Sequence, residues 1–128
     1  ENALRLSVNT FESAVLINSE SFFDFKPLPN YAQFSSTNDI IIQDFNNDNI
    51  NDIVLVGNMY HAEIETTRND SGNGLLLQGI GNGDFKEISV SKSGFFAPGD
   101  SKKIISLKSK NDNLLIIANN DDRLQIFK

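Results

Sequence analysis

The chain has 128 residues, enough for one domain with one modest core. Acidic residues outnumber basic ones 17 to 11, giving a formal charge of −6, and the Lys and Arg are scattered, so nucleic acid and anionic lipid surfaces are poor partners. There is no Cys, which excludes disulfides, thiolate metal sites and a Cys nucleophile, and no run approaches the ~20 apolar residues of a membrane span.

In chain order, the apolar residues form short runs rather than helical stripes: Leu4–Val8, Ala14–Ile17, Phe22–Phe25, Asp39–Gln43, Asp52–Val56, Gly74–Gln78, Asp84–Ser89, Lys103–Leu107, Asn113–Ala118 and Arg123–Phe127. Between them lie breakers such as Asn73-Gly74 and Gly81-Asn82-Gly83-Asp84, where Gly and Asn tolerate positive φ and close tight turns. The most helical stretch, Met59 to Arg68, is interrupted by Thr66-Thr67 and reads as a loop. Ten short strands joined by tight turns predict an all-β, antiparallel protein.

Two stretches repeat. Ala14 to Leu28 aligns without a gap on Gly74 to Ile88, an offset of 60, each ending in a hairpin whose second strand begins Asp-Phe-Lys. Ile40 to Asn58 aligns on Lys103 to Asn120 once the intervening loop is shortened, an offset of 63. Four short strands in about 60 residues are the size of one β-propeller blade with an enlarged loop. The chain then divides into the outer strands of one blade (1–30), a complete four-stranded blade (38–90) and the inner strands of a last blade (102–128). Since a propeller needs at least four blades, this partial propeller implies further blades in a longer chain or a partner copy.

The most specific chemistry is the stretch DFNNDNIND between two apolar strands. Asp44, Asn46, Asp48 and Asp52 stand at positions 1, 3, 5 and 9, each with a side-chain oxygen, and the Ile50 carbonyl stands at position 7. Ca2+ takes six to eight oxygens, and a tight loop supplies them from alternate residues. Position 6 turns sharply and prefers Gly; Asn49, the next best residue for left-handed geometry, occupies it. An EF-hand would need a carboxylate at position 12, where Leu55 stands, and flanking helices. An Asx-rich turn without metal is the competing reading. In the last blade, Ser109-Lys110-Asn111-Asp112 offers a single carboxylate beside a Lys, so one metal site is expected.

This loop and its flanking strands resemble the FG-GAP or VCBS repeat of integrin-type propellers, with pattern Asp-x-Asp/Asn-x-Asp-Gly-x-x-Asp followed by an apolar strand. All four side-chain positions match, and Asn49 in place of Gly is the departure. The stretches GNGDFKEIS and SGFFAPGD…LLIIANNDDRLQIF are similar to closing segments of bacterial VCBS-repeat proteins, extending the resemblance over most of the chain from Asp39 onward. It implies a calcium-binding, non-enzymatic module of the cell surface or cell envelope that takes a protein or carbohydrate ligand.

The long connection Asn58 to Gly74 gathers Tyr60, His61, Glu63, Glu65, Arg68 and Asp70, the candidate ligand-contacting residues. Its structural alternative is a packed excursion in which Arg68 pairs with Asp70 or a Glu. A calcium-assisted lyase acting on a polysaccharide would use Glu63, Glu65, Arg68 and His61; a purely structural, ring-closing segment is the third possibility. His61 is the only His and no Ser sits in a G-x-S-x-G context, which disfavours a hydrolase triad. Gly79 to Asp84 resembles a phosphate loop, but a hairpin follows it rather than a helix.

Overall fold

The computed structural model describes residues 3–108 and 112–128. It is all-β, with antiparallel sheets. The first sheet is a hairpin of β1 (Ala14–Ser19) and β2 (Phe22–Pro27). The second contains β3 (Thr37–Gln43), β4 (Asp52–Gly57), β5 (Leu75–Gly81) and β6 (Asp84–Ile88) in chain order. The third contains β7 (Ser101–Lys108), β8 (Asn113–Asn119) and β9 (Gln125–Phe127). A 3₁₀ turn at Asn30–Gln33 joins the first two sheets. The single-turn helix α1 (Val90–Ser93), ended by Gly94 at φ 68°, precedes the third. The sheets form an open stack, with no closed barrel or ring among the described residues. Ser109 to Asn111, on which the missing second calcium motif was read, lie outside those residues.

The core is set by β4. Its sequence DIVLVG has no polar interruption after Asp52, and all six residues are buried. Side chains alternate across a strand, so a strand apolar at every position must be covered on both faces. Ile53 and Leu55 join Leu75, Leu77 and Ala32, with Val15 and Leu28 against them. Val54 and Val56 join Phe95, Ala97, Ile104 and Ile117, with Leu115 and Phe127 against them. The second sheet is therefore sandwiched between the other two, and burying each of Leu77 and Ile117 completely stabilises the fold by about 1.5–3 kcal/mol.

The third sheet repeats the second pair for pair. Ile53 opposite Leu77, Val54 opposite Leu76 and Leu55 opposite Leu75 correspond to Leu115 opposite Phe127, Ile116 opposite Ile126 and Ile117 opposite Gln125. The first strands repeat too: the register slips between Thr37 and Asp39 in one sheet and between Ser101 and Lys103 in the other, each time opposite the end of the middle strand. The middle strands lie 62 residues apart (Ile53 to Leu115) and the third strands 50 (Leu77 to Phe127), so the β4–β5 connection is 12 residues longer than β8–β9.

Two expectations are corrected. Leu4–Val8 is not a strand; Leu4, Leu6 and Val8 are exposed and, among the described residues, no sheet edge accepts their backbone. The hairpin alignment also shifts, because β2 starts at Phe22, two residues before Asp24, whereas β6 starts at Asp84. Matched by their turns, Glu20-Ser21 corresponds to Asn82-Gly83, an offset of 62 (82 − 20) rather than 60. The turn fixes hairpin register, and Glu20 (φ 42°), Asn82 (φ 55°) and Gly83 (φ 74°) supply its left-handed residues, so the shared Asp-Phe-Lys is not structurally equivalent. A further slip in β5, between Gly79 and Gly81, leaves Ile80 as an extra residue.

Candidate metal-binding loop and the adjoining long loop

The β3–β4 connection is held by its own Asx side chains. Asp44 accepts the N–H of Asn47 (2.7 Å) and Asp48 (3.3 Å) on one oxygen and that of Asn49 (2.9 Å) on the other. Asn46 accepts the Asp48 N–H (2.9 Å) and donates its amide to the Asp48 carboxylate (2.8 Å), which also accepts the Ile50 N–H (2.8 Å). Asn47 (φ 62°) and Asn49 (φ 66°) curl the chain through left-handed conformation, so Asn49 takes the geometry expected of position 6. The Asn46 amide and the Ile50 N–H hold the Asp48 carboxyl below its ordinary value.

Asp52 behaves differently. It is buried, and its two oxygens accept the N–H of Phe45 (3.0 Å) and of Gly79 on β5 (2.9 Å). Gly79 lies so close to the loop that a Cβ there would collide with the Asn51 carbonyl oxygen. Asp52 thus fastens the loop to the sheet, while Asp44, Asn46 and Asp48 are linked at the outer turn. Among the described residues no three His, Cys, Asp or Glu side chains gather into a metal-binding group.

In kind, these residues fit a hard divalent cation: every donor is oxygen, and apart from Asp44 Oδ1, which accepts two N–H groups, each carboxylate oxygen keeps a second lone pair. Asp44, Asn46, Asp48 and the Ile50 carbonyl would hold Ca2+, with Asp52 in contact or bracing from behind. The ion would supply positive charge to a loop whose carboxylates otherwise repel.

The long connection between β4 and β5 separates into three parts. Tyr60 donates its hydroxyl to the Pro98 carbonyl (2.8 Å), the Arg68 guanidinium lies 4.2 Å over its ring, and Arg68 pairs with Asp70 (2.8 Å). Met59 and Asn69 bridge the two legs. His61 turns the other way, towards the Asn120 amide (3.2 Å) and the Asp100 carboxylate (3.8 Å). Glu63 and Glu65 stand at the tip beside a fully exposed Ile64, and neither makes an ion pair among the described residues. Arg68–Asp70 pairing is thus present, and the six candidate residues do not converge on one point.

Three polar features escaped the sequence reading. Asn58, buried at φ 82°, donates its amide to the carbonyls of Gly72, Pro98 and Gly99 and accepts from Gly72 N–H and the Ser35 hydroxyl, tying the long loop to the linker before β7. Asn38 and Asp39 clasp β3 to β7: Asn38 donates to the Ser101 carbonyl (2.7 Å), and Asp39 accepts the Ile104 N–H (2.8 Å) and pairs with Lys103 (3.0 Å). Asp100, 3% exposed, pairs with Lys102 at 2.5 Å. The only available signal was position, a polar residue at each end of a wholly apolar strand or at the start of one.

For both Asp39 and Asp100 burial would raise the carboxyl, but hydrogen bonds outweigh it and hold the group below its ordinary value. The Ile104 N–H and Lys103 act on Asp39; Lys102 and Asn120 act on Asp100.

Compared with profiles of known protein families, with curated proteins and with solved structures, the chain matches none.

Two outcomes are expected. In the presence of EGTA, Asp52→Ala lowers the stability measured by chemical denaturation by about 2–5 kcal/mol, because two N–H groups lose their acceptor, whereas Asp48→Ala at the exposed turn changes it little. A folded-state carboxyl pKa below the unfolded one contributes stability that is present above the unfolded value and lost as pH falls through the folded one. Thermal melts are therefore expected to hold their midpoint down to about pH 5 and fall below about pH 4, with a smaller fall in Asp100→Asn.

Proposed function

We propose that the protein is a calcium-binding segment of a β-propeller of the FG-GAP/VCBS type, acting outside the cytosol as a binding or scaffolding module for a protein or glycan ligand. The observation that carries this reading is the Asp44–Asp52 loop at the corner between the first two strands of a repeated sheet: an all-oxygen donor set, curled by two left-handed Asn residues and fastened to the sheet by Asp52. The pairwise repetition of the second sheet in the third supports the blade arrangement. Further blades, from a longer chain or a partner copy, complete the ring.

Calcium links occupancy to folding, because an ion that binds only the folded loop stabilises it by mass action. Sites of this open kind fill at extracellular calcium concentrations rather than cytosolic ones, which favours the extracellular space or the cell envelope. Ligand contact belongs to the 12-residue insertion, whose legs are pinned by Tyr60, Arg68 and Asn58 while Glu63, Ile64 and Glu65 face solvent. A lyase would need Glu63 or Glu65 beside His61 and Arg68, whereas Arg68 pairs with Asp70 and His61 turns towards Asp100 and Asn120.

Saturating calcium is expected to raise the melting temperature by about 5 °C or more over an EGTA control, and Asp48→Ala is expected to abolish the rise. A midpoint indifferent to calcium in the unmutated protein would remove the metal from the account.

A further inference from the structure

The second sheet has one face towards the first sheet and one towards the third, and the repeat assigns equivalent residues in the other two. In the second sheet Ile53, Leu55 and Leu77 face the first sheet, while Ile41, Val54 and Leu76 face the third. The equivalents of Ile53, Leu55 and Leu77 in the third sheet are Leu115, Ile117 and Phe127, and these do meet the second sheet. The equivalents of Ile41, Val54 and Leu76 are Ile105, Ile116 and Ile126, directly opposite one another across three strands. No described element packs on this face: Ile105 is 48% and Ile126 62% exposed, with Ile116 half-buried between them.

The other end of the stack is bare in the complementary sense. Counting from the turns and allowing for the extra Ile80, Leu16 opposite Phe25 corresponds to Leu77 opposite Glu87, and Asn18 opposite Phe23 to Gly79 opposite Phe85. Leu16, Phe23 and Phe25 therefore occupy the face that looks towards a preceding sheet, and they are 59%, 65% and 41% exposed. On the opposite face Val15 packs on the second sheet and Lys26 pairs with Asp84.

We infer that a second copy of this chain seats its Leu16, Phe23 and Phe25 face on the Ile105, Ile116 and Ile126 face of the first, head to tail. The contact continues the order of faces used twice inside the chain, and both halves of it are displayed by the same molecule. Because the two surfaces differ, the contact is heterologous and extends beyond a dimer unless rotation between copies closes a ring. Patches of this kind are the ones that drive association. The inference deepens the scaffold reading and rests on its repeating stack, not on calcium. A failed calcium response leaves it standing, and a monomeric protein leaves the calcium loop standing.

Sedimentation velocity of the 128-residue protein across micromolar to millimolar concentrations tests it. The unmutated protein is expected to gain mass with concentration. Ile126→Asp and Phe25→Asp each spoil one face, so each alone is expected to sediment as a monomer. Their equimolar mixture, which holds one intact pair of faces, is expected to give a 1:1 dimer and nothing larger. Far-UV circular dichroism checks that both variants fold, and Ile105→Asp with Leu16→Asp serves as the replacement pair. An unmutated protein that stays monomeric throughout overturns the inference, as do variants that associate alone or a mixture that fails to pair.

Discussion

The arrangement depends on β4 being buried on both faces. Val54 and Val56 belong to one core and Ile53 and Leu55 to the other, so the two cores share a single six-residue strand. A sheet with such a strand at its centre cannot stand alone in water; it has to be covered from both sides, and the β1–β2 hairpin and the β7–β9 sheet provide that cover. The polar residues at the two ends of this strand connect it to the loops. Asp52 anchors the Asx-rich corner between β3 and β4, and Asn58, one residue beyond the strand, anchors the insertion and the linker to β7. Both are buried and hydrogen-bonded on every side-chain oxygen, as buried polar groups must be.

This dependence explains which features the sequence disclosed. Short apolar runs between Asn- and Gly-rich turns were enough for an all-β, antiparallel protein. Asn49 announced its left-handed turn through residue type alone. Leu4–Val8 misled for a physical reason: alternation of apolar residues records a tendency to lie on a sheet, but forming a strand also needs an edge to pair with. The repeat was visible at nearly the right period, while the hairpin register was not. Register is set by which residues accept positive φ at the turn, and a shared Asp-Phe-Lys says nothing about that.

The β3–β4 loop was legible as a set of oxygen-bearing residues rather than as a geometry. The spacing picks out Asp44, Asn46, Asp48, Ile50 and Asp52 alike, whereas the fold gives Asp52 a separate task inside the sheet. The insertion was legible as a long loop, and the Arg68–Asp70 pairing of its packed alternative is present, but where the other four polar residues turn was not. Tyr60, Arg68 and Asp70 stiffen it, His61 reaches across to Asp100 and Asn120, and the glutamates remain at the tip. Pairings of this sort depend on where the neighbouring sheet lies, which one-dimensional patterning does not encode.

The central claim is that the three sheets stack in chain order, each covering the next. Methyl–methyl nuclear Overhauser contacts in a Leu-, Val- and Ile-labelled sample test it most directly. The account predicts contacts from Val15 to the Leu75–Leu77 group and from Val54 and Val56 to Ile104 and Ile117, with none from Val15 to Ile117. A protein in which Val15 contacts Ile117, or in which Val54 and Val56 lack contacts to the third sheet, would contradict it.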